Sequence, residues 1–496
     1  MKDLLSKTVN FLKGIWKIPI LNSKNWKRLK FSSSGIKSNP KRFLWRISLV
    51  ASALLFVVLT LVSYRDAVQV AANRFYAPST NPSGQEFKVG WTGTWSFLSS
   101  TTLKRIQCKF HSSQECSFLK PTEVPSEINT NFYKLISSET QLNAAERSLA
   151  SLGHLEDGTL LILSKSGLIT FYNPVKHKEM QQLDLNIDYL GYNPGTIRGP
   201  LAGVDESAGL GLRDFDIFNS NGKVFLNYSF LSLSSQGCLA MNLYKVELLK
   251  GDKQKWRLGK LQKIWTSDSE CIKFKEAHLL GSGGKITRYS NDSVILTLGD
   301  LNLIDRRKTN SVWGNTVLIK ESSGNLKIFT KGHRNPSGII KLNSGLVIGT
   351  EQGPQGGDEI NLLEEGKDYG WPLSSYGKNY SYGGYNHIEN SHLFGTKPLI
   401  AFVPSPAFSS ISSFTKNPPK YWSNEKGETD IYVSSLKAAS IYRCRLNSDS
   451  PSIPYCEKIF VGQRIRDITT LKIAKTHYIF LLTERSSIVS FKVTRN

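Results

Sequence analysis

From about Glu139 to the C-terminus, the chain alternates short apolar runs with turn residues. Runs of four to eight β-branched and aromatic residues, as in "DSVILTLGD" and "HYIFLLTERSSIVSFKV", end at Gly, Asn, Asp or Ser. This pattern is typical of strands, and repeated pairs of runs joined by a short turn predict antiparallel hairpins in series. Radial repetition builds large all-β domains with protected edges, so residues 139–496 are predicted to form a six-bladed β-propeller.

A different pattern precedes this domain. Residues 47–64, "ISLVASALLFVVLTLVSY", carry no charge and nearly suffice to cross a bilayer as a helix. A cleaved signal peptide or a buried core helix are the alternatives, but a signal peptide usually has a shorter apolar region and no long basic leader. We therefore predict one transmembrane helix at 47–64, a basic cytoplasmic segment at 1–46, and a stalk and lead-in at 65–138.

The net charge of +23 is concentrated at the N-terminus. Residues 1–42 contain eleven Lys or Arg and one acid, Asp3, and so contribute +10. The positive-inside rule places this segment in the cytoplasm and the propeller in the periplasm or outside the cell. The remaining charge is spread over more than 450 residues, which indicates a solvated basic surface and no nucleic-acid partner.

The six cysteines form three pairs that are close in sequence. None has the spacing of a zinc site, and an even number outside the cytoplasm favours disulfides. The simplest pairing is 108–116, 238–271 and 444–456. Six reduced thiols are the alternative.

Two neighbouring loops carry the most distinctive chemistry. "GHRNPSG" and "EQGPQGGDEINLLEEGKDYGWP" flank a predicted hairpin, so both lie at strand ends. Arg334 offers a planar set of donors for a carboxylate, with the amide of Asn335 beside it. Asp358 and Glu359 add carboxylate oxygens of the kind that Ca²⁺ prefers. The alternative is a structural ion pair between Arg334 and Asp358, with the glycines serving only the turns.

These two motifs, in this order, resemble the glucose/sorbosone dehydrogenase family of quinoprotein sugar dehydrogenases. Weaker similarity extends from "ERSLASLGHLEDGTLLILSKSG" to the C-terminus. The resemblance implies a six-bladed propeller that binds pyrroloquinoline quinone (PQQ) and Ca²⁺ on its axis. It covers neither the predicted helix nor the lead-in.

The resemblance also implies roles for individual residues. Arg334 and Asn335 match cofactor contacts, as does Lys437 in "SSLKAASIYRCRL" and the pair Arg464 and Arg466 in "GQRIRDI". Backbone oxygens of the first loop residues would hold Ca²⁺, and the acidic loop around them completes the predicted calcium region. The residues of that region are Gly353, Pro354, Asp358, Glu359 and Tyr369.

The substrate end departs from the family pattern. The family's catalytic His stands two residues before a Gly-Gly-Arg turn, but this chain has Gly281 there, before Gly283-Gly284-Lys285. The nearest His is His278, which we name as the candidate base. A usual cofactor contact maps only loosely to Glu206 or Ser207, and "PAFSSISSF" replaces another wall of the pocket.

If the family chemistry is kept, His278 takes the proton of the anomeric hydroxyl of an aldose, and hydride transfer to the quinone yields a lactone. Electrons would then pass to a quinone or cytochrome acceptor at the membrane. The main alternative is a non-catalytic Ca²⁺-binding propeller that binds a protein or glycan partner. A propeller lactonase is a weaker alternative, because such an enzyme requires several carboxylates on the propeller axis, where this chain has Lys and Arg.

Overall fold

The computed structural model describes most of the chain beyond residue 122. The described residues are 123–142, 149–187, 209–234, 236–251, 255–274, 277, 279–303, 311–379, 392–414, 418–419 and 427–495. Within them, 27 strands form six antiparallel sheets, each of which is one blade of a propeller. The predicted six-bladed all-β fold is therefore confirmed.

The first three blades follow chain order. Blade one contains β3 (Leu149–His154), β4 (Leu160–Ser164), β5 (Leu168–Asn173) and β6 (Lys178–Asp184). Blade two contains β7 (Gly211–Ser220), β8 (Lys223–Leu233) and β9 (Cys238–Lys250), with β10 (Trp256–Leu258), β11 (Gln262–Thr266) and β12 (Ile272–Lys273) all pairing with β9. Blade three, after a 3₁₀ turn at Leu279–Gly281, contains β13 (Gly283–Ser290), β14 (Ser293–Leu298), β15 (Asn315–Lys320) and β16 (Leu326–Lys331).

The next two blades repeat this order, and the sixth combines the first and last strands of the described part of the chain. Blade four contains β17 (Pro336–Lys341), β18 (Val347–Glu351), β19 (Asp358–Leu362) and β20 (Ile400–Phe402). Blade five contains β21 (Phe408–Ser412), β22 (Glu428–Ser435), β23 (Ser440–Asn447) and β24 (Ser452–Phe460). Blade six contains β25 (Ile465–Ile473), β26 (Thr476–Thr483) and β27 (Ser487–Thr494), followed in the sheet by β2 (Lys134–Gln141) and β1 (Glu127–Asn129).

The sixth sheet closes the ring. β2 pairs with β27 along its whole length, from Lys134 opposite Thr494 to Gln141 opposite Ser487. β1 and most of β2 precede residue 139, so the sheet reaches into the segment that the sequence predicts to be lead-in. The inner strand of each blade contacts the inner strands of the blades on either side, including β25 with β3. Closure of this kind leaves short, protected sheet edges.

The hydrophobic core lies between neighbouring sheets. One cluster joins blades two and three around Trp313, and another joins blades five and six around Tyr432 and Phe491. Strands such as β4 are buried along both faces, because a propeller blade is covered by a neighbour on each side. This explains why the strand runs are continuously apolar in the sequence.

Two of the three predicted disulfides are confirmed. Cys238 is bonded to Cys271, and Cys444 to Cys456. The 108–116 pair lies outside the described residues, as does the predicted helix at 47–64. No helix in the described part of the chain is long and apolar enough to cross a bilayer.

The loops that carry the candidate site residues lie at one face of the ring. In every blade, the connection between the second and third strands lies beside the start of the inner strand. Pro336 at the start of β17 pairs with Glu351 at the end of β18, and Ile465 of β25 pairs with Thr483 of β26. Neighbouring blades are also hydrogen-bonded to each other at this end of the strands. For example, Asp300 N donates to Arg334 O at 2.9 Å. We call this face the upper face.

Candidate functional site

The loop before β17 holds Arg334 and Asn335 at the upper face. Arg334 donates from one guanidinium nitrogen to the carbonyl oxygens of Gln352 (3.0 Å) and Gly353 (2.8 Å). Asn335 is buried and donates to the side chain of Gln352 at 3.2 Å. The two motifs that the sequence singles out are therefore in direct contact. The Nε atom of Arg334 is buried and has no partner within the described residues.

The carboxylate of Glu351 holds the backbone of this loop in place. Its carboxylate accepts hydrogen bonds from the backbone N–H groups of Arg334 and Asn335, and its Oε2 lies 2.9 Å from His333 Nδ1. Both Glu351 and His333 are buried. A carboxylate that binds two successive backbone N–H groups fixes the conformation of the segment that carries them. Glu351 thus acts on the site through the position of Arg334 and Asn335.

Asp358 is fully buried and binds backbone on two sides. Its Oδ1 accepts from Gly353 N at 3.1 Å and its Oδ2 from Phe408 N at 3.2 Å, which links blade four to blade five. Burial raises the pKa of this carboxyl to about 6, although hydrogen bonds, the largest from Ser405, oppose the rise. In this arrangement Asp358 shapes the loop that presents the Gly353 and Pro354 carbonyl groups. An ion pair between Arg334 and Asp358 is not among the salt bridges of the described residues.

Glu359 and Tyr369 lie deeper in the same blade. Glu359 accepts from Asn361 at 3.2 Å, and burial together with the charge of Glu351 raises its pKa well above the usual range. The Tyr369 hydroxyl donates to Leu362 O and accepts from Glu364 N, while its ring stacks on His333 at 5.0 Å. The Tyr369 side chain thus supports the loop through backbone bonds and ring stacking.

Calcium can be matched to this loop through its backbone. Within the described residues, no group of three or more acidic, His or Cys side chains is arranged to hold a metal ion. The loop offers carbonyl oxygens instead, and such oxygens suit Ca²⁺. The Gly353 carbonyl oxygen now accepts from the Arg334 guanidinium, so it already attracts a cation.

A buried acid, Asp300, lies beside Arg334. Trp371 Nε1 donates to its Oδ2 at 2.6 Å, and its backbone N–H binds the Arg334 carbonyl. Burial raises the pKa of Asp300 to about 7, against the opposing charge of Arg334. A carboxyl group with a strongly raised pKa therefore lies next to the candidate cofactor arginine. In the sequence, the family-like "GD" pair at Gly299-Asp300 is the signal that points to this residue.

On the other side of the ring, four basic side chains form what we call the cationic cluster: Lys165, Arg213, Arg464 and Arg466. Arg213 donates to the carbonyl oxygens of Gly283 (3.2 Å) and Gly209 (3.3 Å). Burial and, to a smaller extent, the charge of Arg466 lower its pKa to about 10, with Asp214 opposing the change. Burial likewise lowers the pKa of Arg466, with Glu484 opposing and Arg464 adding to the effect. The charges of the cluster therefore act on one another.

The predicted pair Arg464 and Arg466 is brought together by a glutamate. Arg464 Nε lies 2.5 Å from Glu484 Oε2, and Arg466 binds Glu484 Oε1. Glu484 stands on the β26–β27 turn, and its backbone N–H donates to Arg464 O at 3.0 Å. Sequence reasoning missed Lys165, Arg213 and Glu484, because they come from three different blades.

Lys437 and His278 are the remaining predicted cofactor and catalytic residues. Lys437 lies in the turn between β22 and β23 at the upper face, where its side chain is exposed and its backbone N–H donates to Pro406 O at 3.0 Å. The candidate base His278 lies outside the described residues, as do Glu206 and Ser207. The turn that follows His278 is described. Gly284 has a φ of +96°, and a side chain there would collide with Arg213.

Below the cationic cluster, the inner strands enclose a group of buried charges. Lys285 Nζ lies 3.5 Å from Asp214 Oδ1 and 3.8 Å from Asp467 Oδ2. Ser151 Oγ lies 2.6 Å from an oxygen of each aspartate. We call Ser151, Asp214, Lys285 and Asp467 the channel group, since they come from the inner strands of four blades. Burial raises the pKa of Asp214, which Lys285 opposes and Asp467 reinforces.

A family model and several known proteins are similar to this chain. The family model described as Glucose / Sorbosone dehydrogenase matches residues 147–489. The chain belongs to this family. The match contains all the described candidate residues, and it begins after β1 and β2.

Three individual proteins illustrate how this chain resembles known sequences and structures. The chain is 32% identical over 179 residues to the aldose sugar dehydrogenase YliI of Escherichia coli K12, which is 36% of this chain and 46% of that protein. It is 41% identical over 69 residues to quinoprotein glucose dehydrogenase B of Acinetobacter calcoaceticus, or 13% and 14% of the two chains. These segments span less than half of either relative. The soluble aldose sugar dehydrogenase of Escherichia coli in its apo form shares the fold, with a TM-score of 0.56, 20% identity, and coverage of 73% of this chain and 100% of that one.

Proposed function

We propose that the protein oxidises an aldose at its anomeric carbon to a lactone, with PQQ and Ca²⁺ as cofactors. The observation that carries this proposal is the charge arrangement of the upper face. The cationic cluster lies on one side of the ring, and the Arg334 loop with its carbonyl oxygens lies on another. A cofactor with three carboxylates and a quinone needs both kinds of group.

The residues present fit such a cofactor. Arg464 and Arg466 are partly exposed, with 35% and 36% of their side chains accessible, so a ligand can reach them. The unpartnered Nε of Arg334 is a donor that the described residues leave unsatisfied, and a buried donor without a partner is costly. Lys437 adds a cation at the same face. Ca²⁺ would be held by the carbonyl oxygens of Gly353 and Pro354.

When bound, PQQ supplies an electrophilic quinone that accepts two electrons from the substrate. The chain's own residues have other tasks. The arginines would neutralise and orient carboxylates. Asp300 would hold or release a proton beside Arg334. His278, as the candidate base, would accept the proton of the anomeric hydroxyl.

Residues 47–64 are proposed to anchor the protein in a membrane, with the propeller on the periplasmic or extracellular side. An anchored dehydrogenase would pass its electrons to a quinone or cytochrome at that surface. The observations behind this part are the apolar run and the basic segment before it.

A titration tests the proposal. The full-length chain, purified in mild detergent with its disulfides intact, is stripped of metal and titrated with PQQ and Ca²⁺ while the cofactor absorbance is followed. Aldoses are then added, and loss of the quinone absorbance reports reduction. Binding followed by reduction is the expected result. No binding would refute the cofactor assignment and leave a propeller that binds a protein or glycan.

Two variants assign roles. Arg464→Ala should weaken PQQ binding at least tenfold, because it removes a charge-assisted contact to a carboxylate. Arg485→Ala is the matched control, since Arg485 is an exposed arginine next to Glu484 that is not in the cationic cluster. His278→Ala should bind PQQ normally and lose turnover. An active variant would move the base elsewhere.

A further inference from the structure

The two predicted cofactor arginines already bind a carboxylate of the chain itself, that of Glu484. Glu484 faces both of them at once, with Oε2 2.5 Å from Arg464 Nε and Oε1 bound to Arg466. This is how two arginines hold a carboxylate of any origin, with N–H donors on each oxygen. A ligand carboxylate that binds the same donors must therefore compete with Glu484.

The surrounding charge keeps Glu484 ionised. Burial alone would raise its pKa, but Arg466 and Arg464 lower it below the usual value, and Lys165 adds to that effect. Its negative charge is set against the four positive charges of the cationic cluster. The cluster thus retains an excess of positive charge that favours a ligand with more than one carboxylate.

The Glu484 side chain is placed so that it can be exchanged. It is 30% accessible to solvent and stands on a turn between two strands. The turn itself is held by backbone bonds, from Glu484 N to Arg464 O at 3.0 Å and from Ser486 N to Thr483 O at 3.2 Å. Neither bond uses the carboxylate, so the side chain can leave the arginines without unfolding the turn.

We propose that Glu484 is the internal occupant of a carboxylate subsite formed by Arg464 and Arg466, and that an incoming polycarboxylate displaces it. The identity of that polycarboxylate as PQQ rests on the proposed function above. Displacement places two carboxylates near the same arginines, where like charges repel. Removal of the Glu484 charge should therefore strengthen ligand binding, although this residue contacts the candidate cofactor arginines directly.

The experiment compares the full-length protein with Glu484→Gln, which keeps the shape of the side chain and removes its charge. PQQ binding in the presence of Ca²⁺ is followed by cofactor absorbance. In parallel, citrate is added without calcium as a tricarboxylate that has no quinone, and the melting temperature is recorded. Glu365→Gln is the matched control, because Glu365 pairs with Lys327 at 2.6 Å on an exposed part of blades three and four.

We expect Glu484→Gln to bind PQQ about tenfold more tightly than the wild type, a coupling of ordinary size between two sites. Citrate should raise the melting temperature of this variant more than that of the wild type, since a ligand of the folded state stabilises it by mass action. Glu365→Gln should behave like the wild type. Equal or weaker binding by folded Glu484→Gln would overturn the proposal and make Glu484 a residue that only orients the arginines.

The citrate measurement separates this proposal from the cofactor assignment. If no form of the protein binds PQQ, the cofactor assignment fails, while a larger citrate effect in Glu484→Gln still supports the carboxylate subsite. An equal citrate effect in both proteins refutes the subsite. Glu484→Asp serves if the first variant does not fold. Its shorter side chain retreats from the arginines, so it should bind PQQ more tightly than the wild type by a smaller factor, and weaker binding would count against the proposal.

Discussion

Lys285 lies between two carboxylates in the channel group and pairs with both, so its loss should be costly. The side chains of Lys285 and Asp214 are 12% accessible and that of Asp467 is 4% accessible, so water compensates little for a missing charge. At these separations of 3.5 and 3.8 Å, the gross attraction is on the order of 4 kcal/mol per pair at an effective dielectric constant of 20. Desolvation offsets much of this. Removal of one partner of a buried pair typically costs about 3–5 kcal/mol.

The cost should depend on pH in a defined direction. Ser151 has one hydroxyl proton but lies 2.6 Å from an oxygen of both aspartates, so a proton on one carboxyl would satisfy the second contact. Burial raises the folded-state pKa of Asp214 above the unfolded value. The stability that this protonated carboxyl contributes is present at low pH and is lost as the pH rises through the folded-state pKa. Lys285→Met raises that pKa further, so the deficit should grow from pH 5 to pH 7.

Urea unfolding at pH 5 and pH 7 measures the loss in the free energy of unfolding. The transition is monitored by both tryptophan fluorescence and circular dichroism, and agreement of the two curves justifies a two-state treatment. Lys285→Met should lose about 3–5 kcal/mol at pH 7 and clearly less at pH 5. The double variant with Asp467→Asn should regain much of the loss. Lys492→Met, at an exposed lysine of β27, is the control. A loss below about 1 kcal/mol at pH 7, typical of an exposed pair, or an equal loss at both pH values, would refute the reasoning.

Three further predictions follow from other parts of the structure. Asp358→Ala should lower calcium affinity at least tenfold by calorimetry, because it releases the backbone N–H of Gly353; unchanged affinity would remove Asp358 from the calcium loop. Trp371 fluorescence should titrate near pH 7 through Asp300, whose pKa is raised by burial to about 7, and a titration that persists in Asp300→Asn would contradict this. Arg443→Met should cost about 3–5 kcal/mol in urea unfolding because it removes a fully buried guanidinium that pairs with both Asp430 and Glu457 and leaves Asp430 with Arg445 alone, and a loss below about 1 kcal/mol would show that the buried pairs of Arg443 contribute little.

The sequence predicts the repeated architecture well and its closure poorly. Apolar runs with turn residues between them are a local signal, and hairpins such as β17–β18 depend mainly on that signal. The pairing of β2 with β27 joins Ser138 to Ser490 across the whole domain, with the two hydroxyl groups 2.7 Å apart. Local periodicity carries no information about such a partner, which explains why the sequence places the start of the propeller at residue 139.

The same distinction applies to the site. Arg334, Asn335 and the Gly353 loop lie in continuous motifs, and the structure brings them into contact. Glu484 and Arg213 occur in segments with no motif of their own, and they reach the site only because β26–β27 and β7 start or end at the upper face. Burial also changes what a motif residue does. Asp358 resembles a metal ligand in the sequence, but in the structure its carboxylate binds the backbone of the loop.

The position of β1 and β2 also decides how a shortened form of the protein should be designed. The family match starts at residue 147, and a fragment cut there would lack both outer strands of the sixth sheet. It would expose the edge of β27 and remove Phe132, whose ring lies 4.2 Å from the guanidinium of the fully buried Arg443 in blade five. An open strand edge is a template for aggregation. Expression of the domain alone should therefore begin before residue 123, and poor yield from a fragment that starts at 147 would reflect an opened ring.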